Sequence, residues 1–144
     1  MKAAVVTGSD ATPEYDDFSE PQVDDGYELV ELVAAGLHPI VRSLAAGRHY
    51  GSTQSWPLVP GVDVVARTAA GDYIYTGFVR PPHGTFAERM AAPKAMRISL
   101  PPGADPVKVA GGLNPVSYTH LDVYKRQALL DAIDPAGLRA FDAS

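Results

Sequence analysis

A chain of 144 residues, 46% hydrophobic and 20% charged, has the composition of one globular domain and is too short for two well-formed ones. A net charge of −5 with no basic stripe argues against a nucleic-acid partner, and no apolar run nears the roughly 18 residues that span a bilayer. With no cysteine there is no disulfide, thiolate nucleophile or sulfur-based zinc site, and His38, His49, His83 and His120 show no metal-ligand spacing. The expectation is a soluble cytoplasmic protein without metal, nucleic acid or membrane.

In chain order, residues 2–7 and 27–35 read as strands, the second alternating imperfectly around Glu28 and Glu31. Between them residues 9–26 are rich in Asp, Glu, Pro and Ser, which suits a solvated connection ending in a turn at Gly26. Pro39 and Gly47 bracket about two helical turns over residues 40–47. Residues 62–68 and 72–79 form a candidate hairpin turning through Ala70 and Gly71, and residues 84–92 and 95–100 give two more strands. Asp105 is placed to cap a helix running to Gly112, with Pro106 at its start and Val107, Val109 and Ala110 able to face a core. Many short strands with Gly/Pro turns and short helices predict a mainly β domain, a partly closed barrel.

Five segments in order carry a family resemblance: Met1 to Val6, Ala34-Ala35-Gly36-Leu37-His38-Pro39, Leu58-Val59-Pro60-Gly61-Val62-Asp63, Gly84-Thr85-Phe86-Ala87-Glu88, and Leu100-Pro101-Pro102-Gly103-Ala104. The series resembles the medium-chain dehydrogenase/reductase family. That resemblance implies a GroES-like barrel over residues 1–114, the substrate side of an enzyme, cut off before the Rossmann domain that normally carries the cofactor. Zinc-dependent members have a Cys after the Ala-Gly-hydrophobic step and a His-Glu pair after the Pro-Gly; here stand His38 and Val62-Asp63. The chain therefore resembles the zinc-independent, quinone-oxidoreductase-like branch. The implied chemistry is hydride transfer from NADPH, without a Lewis acid, to a quinone, enone or similar carbonyl acceptor. A homodimeric parent is implied, and the fragment alone is expected to be inactive.

Zinc-free relatives often have Asn-Pro where this chain has His38-Pro39, the Asn lying near nicotinamide and substrate. By that resemblance His38 is a proton donor or orienter, and His38, Pro39 and Asn114 edge the cofactor cleft; a packed or solvent-facing histidine is the alternative. Tyr50 matches loosely a tyrosine lining the substrate cleft, against a core tyrosine. Arg42 reads as a surface ion pair. A non-enzymatic GroES-like binding or assembly module is the alternative function.

Residues 115–127 break the pattern. One back-translation of them is, after its first base, an inverted repeat of the kind given by two transposase mosaic-end adapters joined head to head, so they resemble a translated sequencing-adapter junction. Residues 128–144 then read as a short fragment of uncertain origin. Ser117, His120 and Asp122 within the junction imitate a triad without anything to bring them together, and Tyr124-Lys125 lacks the spacing to share a helical face.

Overall fold

The computed structural model describes residues 1–77 and 79–114; the adapter-like junction, the triad imitation, Tyr124-Lys125 and the fragment 128–144 lie outside the described residues. The described chain runs β1 (Lys2–Val5), β2 (Glu14–Asp17), β3 (Tyr27–Ala35), α1 (Pro39–Ala45), β4 (Asp63–Arg67), β5 (Tyr73–Gly77), β6 (Arg89–Pro93), β7 (Arg97–Ser99) and α2 (Pro106–Gly112). This is the expected mainly β fold with two short helices. Among the described residues no helix is long and apolar enough to cross a membrane.

Five strands make one antiparallel sheet in the order β6-β3-β4-β5-β7, and β1 pairs with β2 in a separate ribbon. The segment leading into β6 joins the two. Ala4 N donates to Phe86 O at 2.8 Å and Glu88 N to Lys2 O at 3.0 Å, while Leu32 N of β3 donates to Glu88 O at 2.9 Å. One stretch of chain thus serves the ribbon first and the sheet next, which turns a corner and gives the barrel its partial closure.

Strand β4 lies in the middle of the sheet and is covered on both faces, which explains its unbroken run of buried residues from Asp63 to Ala66. Val64 and Ala66 pack with Val30, Ile74, Met90 and Ala92 on one face. Val65 points the other way, into Val109, Ala110 and Leu113 of the α2 region. Under the ribbon a third cluster gathers Ala3, Val5, Val59 and Ala87.

The β4–β5 hairpin turns where expected: Gly71 N donates to Thr68 O and Thr68 N to Asp72 O, both at 2.9 Å, with Gly71 at φ +92°. Three sequence expectations need correction. The acidic connection contains β2, whose four residues are all exposed and which exists because β1 offers it a ladder. The strand expected from Gly84 begins at Arg89, since residues 84–88 are taken up by the corner. Val107 is 71% exposed, because it lies about 200° around the helix from the buried Val109.

Asp105 caps α2 as expected: its Oδ1 accepts from Val107 N at 3.0 Å and Lys108 N at 3.3 Å. Asp105→Ala is expected to cost about 1 kcal/mol in urea denaturation. An unchanged midpoint would mean that α2 is held by packing alone.

Candidate functional site

The alternation of β4 sends Asp63 to the same side as Val65, toward α2. The carboxylate there is 4% exposed and collects side chains from three other parts of the fold. Tyr75 of β5 donates its hydroxyl to Asp63 Oδ2 at 2.9 Å. Asn114, just past α2, donates Nδ2–H to Asp63 Oδ1 at 2.9 Å. His38, the residue before α1, has Nε2 at 3.2 Å from Oδ1 and 3.3 Å from Oδ2. A carboxylate with donors on both oxygens is how a buried acidic group is made tolerable.

His38 reaches Asp63 because Gly36 makes room for it. A Cβ on Gly36 would lie 2.1 Å from His38 Nε2 and 2.7 Å from Ala110 O. The Ala-Gly-hydrophobic step of the sequence thus has a steric reason: the imidazole folds back over the glycine, against α2.

Asp63, Tyr75 and Asn114 stand on the wall of a cleft of about 590 Å³. Most of the rest is apolar: Ile40 and Leu44 of α1, Val59 and Pro60, Ile98 of β7 and Leu113. An apolar cavity of this size with a few convergent polar groups suits a small, largely uncharged organic ligand. His83 also lines it, with Nε2 3.1 Å from Ser19 O and its ring edge-on to Phe18, so it fastens the cleft margin to the segment after β2.

The sequence-predicted site residues separate on inspection. Asn114 joins the cleft wall. His38 is 6% exposed, pairs with Asp63 and is not part of the lining, which rules out the solvent-facing reading. Pro39 opens α1 and is exposed. Tyr50 is 97% exposed, so it is no core tyrosine; it stacks on His49 at 4.2 Å and follows into Gly51 and Ser52 of the lining without belonging to it. Arg42 is exposed, and among the described residues it joins no ion pair.

Two residues at the centre, Asp63 and Tyr75, were not singled out by sequence as site residues. The available signal was a carboxylate heading the apolar run Val64-Val65-Ala66, an acidic group that burial forces to find donors. Among the described residues no three His, Cys, Asp or Glu side chains come together.

No family model and no curated protein sequence matches the chain. Solved structures do. A quinone oxidoreductase from Thermus thermophilus, described with its NADPH complex, superposes with a TM-score of 0.70 at 30% identity, over 82% of this chain and 38% of that one. An alcohol dehydrogenase superfamily protein from Novosphingobium aromaticivorans gives 0.65 at 24% identity, over 74% and 36%. The quinone oxidoreductase from Coxiella burnetii gives 0.69 at 19% identity, over 80% and 41%. The chain therefore spans about two-fifths of the length of these proteins, and its described part shares the fold of medium-chain dehydrogenase/reductase structures.

Proposed function

We propose that residues 1–114 are the acceptor-side domain of a zinc-independent, NADPH-dependent reductase of the medium-chain type, acting on a flat, neutral quinone, enone or related carbonyl compound. The observation that carries this reading is the apolar cleft whose main polar cluster is Asp63, Tyr75 and Asn114, set in this fold. The rest of the catalytic unit belongs, in this reading, to a dinucleotide-binding domain that residues 1–114 do not supply, and the chain by itself is inactive.

The described residues suit one end of the cofactor only. A cleft of about 590 Å³ has room for a nicotinamide ring beside a small acceptor, and Asn114 brings an amide to its wall. Among the described residues no lysine or arginine lines it, so in this reading the charged phosphates are held by residues outside the described cleft. When bound, a reduced nicotinamide supplies hydride. The chain's own part is to exclude water with Ile40, Leu44, Val59 and Leu113, and to present polar groups to the acceptor oxygen from the Asp63 side.

Trp56 makes this testable without turnover. It is the single tryptophan, and its Nε1–H donates to the carbonyl of the lining residue Ala45 at 3.0 Å. Titrating the chain with 2-methyl-1,4-naphthoquinone should quench its fluorescence saturably, with Kd on the order of 1 mM or tighter for a ligand of that size. Linear quenching equal to that of free tryptophan would sink the acceptor-cleft reading and leave the binding-module alternative.

A further inference from the structure

The geometry points to Tyr75 as the proton donor to the acceptor oxygen, positioned by Asp63, which His38 holds from behind. This inference rests on the acceptor-cleft reading above. Of the proton-bearing side chains gathered at Asp63, the phenol and the Asn114 amide stand on the cleft wall; the imidazole does not. An amide N–H is too weak an acid to give up its proton, whereas a tyrosine hydroxyl can serve as a general acid. The order outward is therefore His38 Nε2, Asp63 carboxylate, Tyr75 hydroxyl, cleft.

Reduction of a carbonyl group takes a hydride, from a dihydronicotinamide, and one proton. As the carbon accepts the hydride and its oxygen becomes negative, the Tyr75 hydroxyl turns from Asp63 to that oxygen. Its O–H bond breaks and a new O–H bond forms on the product. The phenolate so formed is reprotonated by water entering the cleft as product leaves, and its hydroxyl returns to Asp63. Phenol and carboxylate end as they began, and the product has gained one hydride and one proton.

Asp63 holds the phenol in place beforehand. Tyr75 rises from β5 packed against the cluster of Val65, Val109, Ala110 and Leu113, and the 2.9 Å bond fixes its hydroxyl at the wall. A hydroxyl held at the wall in this way has the preorganisation that a positioned acid requires.

The experiment uses the full chain with 2-methyl-1,4-naphthoquinone as probe, binding read from Trp56 and carbonyl environment from isotope-edited infrared difference spectra. The carbonyl stretch of the bound probe should move to lower frequency in the unmodified chain. In Tyr75→Phe that shift should be lost while Kd weakens by no more than roughly tenfold, the worth of one hydrogen bond. His38→Gln should keep the shift. A shift that survives Tyr75→Phe, or one that His38→Gln abolishes instead, overturns the assignment and leaves the acceptor cleft standing; absence of saturable binding in the unmodified chain overturns both. The His38–Asp63 half is read separately, as a downfield imidazole N–H resonance removed by both His38→Gln and Asp63→Asn. Its absence from the unmodified chain overturns that half.

Discussion

Replacing Gly84 with alanine should destabilise the chain by about 3 kcal/mol, lowering the urea midpoint by about 1.5 M. An added Cβ would lie 2.2 Å from Val59 O and 2.3 Å from Pro60 O. Both are backbone atoms, so no side-chain rotation relieves the clash. The corner segment must instead back away from residues 59–60, which gives up the Phe86 N to Pro60 O bond of 2.9 Å and opens the packing of Val59 against Ala3 and Ala87. Overpacking of this kind costs about 1–3 kcal/mol and a lost backbone bond adds about 1. Gly61 is on the same seam: its Cβ would meet Thr85 Oγ1 at 2.2 Å, and its φ of +109° is one that other residues rarely adopt. Gly111 is the control, an exposed residue within α2 with nothing within 4 Å of a Cβ, where alanine should be neutral or add up to about 1 kcal/mol of stability. Equal effects at Gly84 and Gly111 would refute the seam.

That seam shows what sequence could and could not convey. Pro60-Gly61 and Gly84-Thr85 read as two separate turns because each has local turn chemistry. Their meaning is joint, since Gly61 makes room for Thr85 and Phe86 and Gly84 for Val59 and Pro60, and contacts between residues more than 20 positions apart leave no local trace. Strands β3, β4 and β5, the Gly71 turn and the Asp105 cap were legible, because alternation, turn residues and capping residues act within a few positions. Strand β2 was not, because Glu14-Tyr15-Asp16-Asp17 has no buried face to pattern its sequence, and only the ladder with β1 makes it a strand. At the site, the resemblance drew attention to His38 and Asn114. Their common acceptor was not, because the parity that aims Asp63 and Tyr75 at α2 becomes meaningful only once α2 is known to cover that face.

Asp63→Ala should therefore cost about as much as Gly84→Ala, by a different route and with a different signature. It takes an acceptor from His38, Tyr75 and Asn114 at once. Hydrogen bonds to a carboxylate are worth about 1.5–3 kcal/mol each. Tyr75 is half-buried and can turn toward water, so the loss falls mainly on the other two, giving about 3 kcal/mol in total. Asp63→Asn keeps one acceptor oxygen and the volume, and should lose only about half as much. Because Asn114 follows directly on α2, the loss should be local as well as global: the Val109 and Leu113 amides, bonded to Asp105 O and Val109 O, should exchange with deuterium faster than those of β3 and β6. In Gly84→Ala the fast-exchanging amides should be those of the corner, Phe86 and Glu88, instead. A uniform acceleration in Asp63→Ala would mean that the carboxylate stabilises the fold at large without organising the cleft wall, and Tyr75 would then lack the fixed hydroxyl that its role as donor requires.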